Sequence, residues 1–245
     1  MNILKINSFI FFSIFLLLSS ILFSLFVNSY ATGSGDFMYP VDTDPFGIPH
    51  KKWLADWWKA RLAISAENSA NYINLSTGID NTKNPSKCFI GEDKVHNVLF
   101  LELPPTEEKF PVRTCDLPAG KAIFLPIETS QCDYGLEDIK TENDLISCAK
   151  SGNDGVQASV TLDGVKGDYQ VEKHRFMTDP FNITMNNKLM GDYHGTFGAL
   201  SEGFMLELKP LTVGDHKLNF IVSVVNPANP VYDYFQNANF NFRVK

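Results

Sequence analysis

Four residues carry side chains that a hydrolytic site would need: Glu128, Asp133, Lys121 and His216. Glu128 and Asp133 follow the apolar run KAIFLPI, 121–127, where a carboxylate breaks with what precedes it. Two carboxylates flanking a scissile bond can act as general acid and general base, given the right separation. The competing role, and the more frequent one, is to cap a turn at a strand exit. Other chemistries lack a local signature. Gly120-Lys121 evokes a phosphate loop, but Cys115 stands where its first glycine belongs and Ala122 where its hydroxyl belongs. His50, His96, His174, His194 and His216 are scattered singly, without the spacing of a metal motif. Asp42 and Asp44 before Gly47 fall short of a calcium loop, whose closing glutamate is missing. GALSEG, 198–203, has the wrong spacing for a serine nucleophile elbow. No metal site and no cofactor is implied.

The elements that would position these groups begin with the cysteines, Cys88, Cys115, Cys132 and Cys148. An even count in an exported chain reads as disulfides, and four cysteines allow three connectivities. Sequential pairing, Cys88–Cys115 and Cys132–Cys148, closes two local loops and is preferred. The segment HKKWLADWWKARLAISAE, 50–67, has the spacing of an amphipathic helix with an aromatic face: Trp53 and Trp57 make one stripe, Leu54, Trp58 and Leu62 the next. A helix packed on a sheet is the ordinary outcome for such a face. A ligand platform made by Trp53, Trp57 and Trp58 is the sharper alternative.

Export is read from the first residues. Lys5 precedes an apolar stretch from Ser8 to Val27, and Ser29-Tyr30-Ala31 supplies small residues where a signal peptidase cuts. The stretch also has about the 20 residues that span a bilayer, so an uncleaved anchor is the alternative to a cleaved signal peptide. Residues 1–31 are thus the leader and 32–245 an exported domain, with a candidate division near 152. Of 21 Lys and Arg only Lys5 lies in the leader, which leaves 20 against 28 acidic residues. That excess argues against nucleic acid as a partner. The membrane is contacted only through the N-terminal segment, and only if that segment stays uncleaved. Asn74 and Asn182 head N-x-[ST] sequons and are candidate glycosylation sites in a host that glycosylates exported proteins.

The rest of the chain reads as strands. NVLFLEL (97–103) and KAIFLPI are followed by a helix over 136–150 carrying Cys148. KAIFLPI is apolar at nearly every position, the pattern of a strand buried on both faces. After Gly152 the period changes: VQASVTL (156–162), YQVEKHRF (169–176), GFMLELK (203–209), HKLNFIVSVV (216–225) and ANFNFRVK (238–245) are β-forming runs separated by Gly, Asp, Asn and Pro turns. The expected fold is mainly β (α+β): an antiparallel Ig-like β-sandwich centred on 156–245, with two helices in the N-terminal half and two disulfides.

These pieces also resemble a family of exported prokaryotic proteins of unknown function. The resemblance is carried by Trp53, Trp57 and Trp58; by Cys88; by Arg113, Cys115 and the string Pro118 to Ile127; by Cys132 and Cys148; and by Gly203 to Phe220, including Lys209-Pro210-Leu211, Gly214 and His216. It covers most of 50–245 and implies an export signal, disulfides and a C-terminal β-sandwich, but no reaction. Ala60 stands where the family has a further Trp, and Glu128 where it often has Asn. The expectation is an exported, non-enzymatic binding or structural module of the cell surface or extracellular space, with an unidentified ligand or protein partner. An extracytoplasmic hydrolase working through Glu128 is the alternative.

Overall fold

The computed structural model describes residues 36–64, 88–102, 109–185, 193–225 and 233–245, and the backbone at 73–74 and 79–80. The leader and the side chain of Asn74 lie outside the described residues. Among the described residues there are two α-helices, α1 (His50–Ala63) and α2 (Glu142–Ser151). The strands are β1 (Ile73–Asn74), β2 (Ile79–Asp80), β3 (Phe89–Asp93), β4 (Val98–Leu101), β5 (Val112–Leu117), β6 (Ala122–Asp133), β7 (Val156–Leu162), β8 (Val165–Lys166), β9 (Arg175–Met177), β10 (Phe181–Met185), β11 (Gly195–Leu208), β12 (Gly214–Val224) and β13 (Tyr234–Val244). Among the described residues no helix is long and apolar enough to cross a membrane.

The protein is a mainly β, two-sheet sandwich. One sheet runs β10-β11-β6-β4-β3, with β9 also on β11; the other runs β5-β13-β12-β7-β8. Most pairings are antiparallel, but β4–β6 and β5–β13 are parallel. The sandwich is wider than 156–245. β6 and β11 pair over most of their length, and β5 lies along β13, so each sheet mixes strands from either side of residue 152.

The doubly apolar β6 is the pivot of the core. Ile123, Leu125 and Ile127 face the second sheet, among Phe220, Phe240 and Phe242. Ala122 and Phe124 face the other way and pack on Trp53, Leu54 and Trp57 of α1. Burying each of these large side chains contributes roughly 1.5–3 kcal/mol. α2 covers the far end of the same sheet, with Leu145 and Ala149 against Cys132 and Leu200. It begins at Glu142, six residues after the start of the run 136–150, because Thr141 and Asp144 form a capping box. The disulfides are Cys88–Cys115 and Cys132–Cys148, the sequential pairing. The first ties the start of β3 to β5 in the opposite sheet; the second ties α2 to β6. Two disulfides fit an oxidising, extracytoplasmic environment.

Further segments differ from the sequence reading. YQVEKHRF is not one strand: Val171–His174 is a 3₁₀ turn, and only Arg175–Met177 pairs as β9. The turn closes through Lys173 N and His174 N donating to the Gln170 carbonyl, and it lets Tyr169 and His174 stack at 4.1 Å. The GFMLELK strand starts eight residues earlier, at Gly195, because β10 supplies a partner for 195–199.

Candidate functional site

Glu128, Asp133, Lys121 and His216 each have a definite place, and the structure does not gather them. Pro126 stands in the middle of β6, where a missing N–H would break a ladder. β4 pairs with β6 only through Phe124, and a β-bulge at Ile127 shifts the register against β11 just beyond it. The bulge changes which residues face the sandwich. Odd positions face it before the bulge; from Glu128 onwards, even ones do. Gly203 opposes this segment from β11; a Cβ there would sit 2.5 Å from the Thr129 Cβ and 2.7 Å from the Glu128 carbonyl oxygen. Glu128 thereby projects between the sheets and accepts a hydrogen bond from the Tyr234 hydroxyl of β13. Burial pushes its carboxyl up to about 7, against the opposing effect of the Tyr234 bond.

Asp133 lies five residues further on, so it points to the opposite face, roughly 16 Å along the strand. It is buried and accepts from the Gly135 N–H at 2.8 Å, the Gln131 amide at 3.0 Å and the Tyr193 hydroxyl. It is a turn cap. Lys121 sits at the other end of β6, bonded to Glu92 and, at 3.0 Å, to Asn97. His216 is on the second sheet. Its Nδ1 meets Asp163 at 2.7 Å and its Nε2 the Thr212 carbonyl at 2.9 Å, while Asp163 also accepts from the Lys217 N–H at 2.7 Å. Burial lowers the His216 pKa, but these acceptors outweigh it and the net shift is upward. The Gly214-x-His216 string thus clasps the 163–164 turn to the start of β12.

The three tryptophans of α1 lie against the sheet. Trp53 and Trp57 are fully buried, and their indole N–H groups donate to the Pro45 carbonyl at 3.3 Å and the Leu101 carbonyl at 2.7 Å. Trp58 is half-buried and donates to Thr129 at 3.2 Å. The rings of Trp53 and Trp57 key α1 into the sheet, and Trp58 keeps part of its surface exposed. Asn182 is exposed on β10, an outer strand of its sheet.

A different group of residues does converge. Along one side of β11 run β10, then β9 as far as Phe204, then the lead-in segment, whose Tyr39 N–H donates to the Glu207 carbonyl and whose Met38 bridges Leu208. Between β9 and the lead-in the ladder is interrupted at Met205 and Leu206. The Tyr169 hydroxyl supplies a donor there, to the Met205 carbonyl at 3.0 Å. The chain on either side of the gap, 36–42 and 168–174, walls a cavity of about 400 Å³ lined by Met38, Tyr39, Asp42, Asp168, Lys173 and His174, among others. That is the size of a small-ligand pocket.

Behind this cavity the first residue of α1, His50, lies against Glu207 of β11, with Nδ1 to Oε2 at 2.5 Å. Both residues are buried, His50 stacks on Phe176 at 4.8 Å, and the second polar atom of each, Nε2 and Oε1, is buried without a hydrogen bond. Burial lowers the His50 pKa, but the Glu207 carboxylate and the Pro40 and Thr43 carbonyls together outweigh it. Burial raises the Glu207 pKa, which His50 only partly offsets. His174, 7% exposed, is pushed down to about 4, first by burial and then by the neighbouring His50. Tyr39 and Tyr169 are raised by burial and by the Glu207 charge. Perturbed groups gathered beside a cavity are a physical marker of a functional site. Sequence reasoning missed them because His50 and Glu207 are 157 positions apart and each is unremarkable among its neighbours.

No family model matches the chain, and no curated protein matches it. Among solved structures there is distant similarity to EhICP2, a cysteine protease inhibitor from Entamoeba histolytica, at 9% identity and TM-score 0.23, covering 61% of this chain and 95% of that one. PbICP-C, solved in complex with falcipain-2, is similar at 11% identity and TM-score 0.25, covering 61% of this chain and 99% of that one. Amebosin, solved in solution, is similar at 9% identity and TM-score 0.17, covering 56% and 98%.

Proposed function

We propose that this chain is an exported, non-enzymatic binding module, acting at the cell surface or in the extracellular space, that takes a ligand in the cleft between 36–42 and 168–174. One observation carries the reading: the cleft opens where the ladder along β11 is interrupted, beside the buried group His50, Glu207, His174, Tyr39 and Tyr169. A buried ion pair with two polar atoms left unbonded is costly to stability, which fits a place kept for binding. The separation of Glu128, Asp133, Lys121 and His216 supports binding over hydrolysis, since a general acid and base must reach one substrate together.

The test is a small-molecule thermal-shift screen on the wild-type chain and on Val41→Trp, which fills the cleft from its wall. Compounds that raise the melting temperature of the wild type by several degrees should leave the variant unmoved. Hits that stabilise both proteins equally would remove the cleft from consideration.

A further inference from the structure

Building on the cleft reading above, we propose that its ligand is an alkylammonium ion: a primary amine on a short apolar chain. The rim carries Asp36, Asp42 and Asp168 against one cation, Lys173. Asp36 is already paired with Lys209 at 2.5 Å. Asp42 and Asp168 have no salt-bridge partner among the described residues, and Asp168 accepts only from the neutral Gln170 amide, at 3.2 Å. These two carboxylates are therefore free to meet a positive charge and would repel an anion.

The remainder of the wall suits a hydrocarbon tail. Met38, Pro40 and Val41 are apolar, and Tyr39 offers an aromatic ring, a favourable surface for an ammonium group or its adjacent methylenes. His174, nine-tenths buried in the wall, is held neutral by burial and by His50, so it sets no competing charge against the ligand. A neutral imidazole also offers hydrogen bonding to an ammonium. The free amine and the lysine side chain of a polypeptide share this chemistry.

The experiment is an NMR titration of the isotope-labelled full chain with n-hexylammonium, n-hexanol and hexanoate, which share a tail and differ in charge. Hexylammonium should shift the amides of 38–42 and 168–174, with hexanol and hexanoate binding at least tenfold more weakly. Asp42→Asn with Asp168→Asn should weaken hexylammonium about tenfold, the effect of losing two partly exposed charge contacts. Nα-acetyl-lysine methylamide separates the sources: tighter binding than hexylammonium assigns a polypeptide lysine, weaker binding a free amine. Equal binding of all three probes, or an unchanged affinity in the double variant, would overturn the alkylammonium assignment. Hexanol or hexanoate shifting these amides alone would sink the ligand class and leave the cleft standing. No shift there from any probe would sink the class, while the Val41→Trp comparison judges the cleft separately.

Discussion

At the residue scale Glu128 is the most exceptional side chain in the sandwich interior. Its folded-state pKa of about 7 lies above the ordinary glutamate value of 4.5, so between those pH values the folded chain holds a proton that the unfolded chain has lost. The contribution to stability is therefore complete below pH 4.5 and is lost as pH rises through about 7; it is worth roughly 3 kcal/mol. Glu128→Gln keeps an acceptor for the Tyr234 hydroxyl and cannot ionise. Above pH 7.5 the variant should melt several degrees higher than the wild type, and the two should converge near pH 4.5. A variant that melts at or below the wild type at pH 8 would mean that the ionised carboxylate is itself stabilising. Glu128 was legible in the sequence as a carboxylate ending an apolar run, and Pro126 within that run is a bulge signal. Its direction was not legible, because one inserted residue decides which face the next side chain takes. His50 and Glu207 left no signal at all: a histidine opening a helix and a glutamate in a strand are each ordinary until the fold superposes them.

At the scale of elements the helices and the disulfides were the readable part. The aromatic periodicity of 50–67 gave α1, and the pairing that makes the shortest loops is the pairing found. The two bridges join different things. Cys88–Cys115, separated by 27 residues, links the sheets at β3 and β5; Cys132–Cys148, separated by 16, fixes α2 on β6. Loop-closure entropy assigns them about 3.5 and about 3 kcal/mol respectively. The local consequences should differ more than these totals. α2 is also held by its capping box and by Asn153, whose side-chain amide donates to Ser130 at 2.8 Å and to the Ala149 and Glu202 carbonyls at 2.9 Å. Replacing Cys132 and Cys148 by Ala should lower the unfolding free energy by about 3 kcal/mol while amide exchange in α2 stays slow. Replacing Cys88 and Cys115 should speed exchange in β3 and β5 ahead of global unfolding. Equal acceleration over the whole molecule in both variants would show that neither bridge acts on its own element.

At the scale of the whole molecule, alternation identified most strands and could not pair them. Phe240 and Phe242 announce an inward face and Asn239 and Asn241 an outward one, yet nothing in that pattern says that Val112 lies beside Asn239. Pairing is decided by the two sheets closing on one core, and the distances in sequence are long: β6 meets β11 some 70 positions on, as Thr129 meets Gly203. The division near 152 can be tested on this topology. A chain of residues 153–245 keeps β7 to β13 but loses β5 from the edge of one sheet and β3, β4 and β6 from the other, so that β11 is left without β6 opposite the inner face. Leu218, Phe220, Val222, Phe240 and Phe242, all fully buried in the intact chain, would then lose the cover of Leu99, Leu101, Ile123, Leu125 and Ile127 and keep only that of β11. Exposing a contiguous patch of that kind costs far more than a marginally stable domain can supply. The 153–245 fragment should therefore show no cooperative thermal transition and should bind a hydrophobic dye. Residues 36–245 should unfold in one step, slowly reached from the unfolded state because its pairings are non-local. A fragment that melts cooperatively, with dispersed amide signals matching those of the intact chain, would establish 153–245 as a domain in its own right.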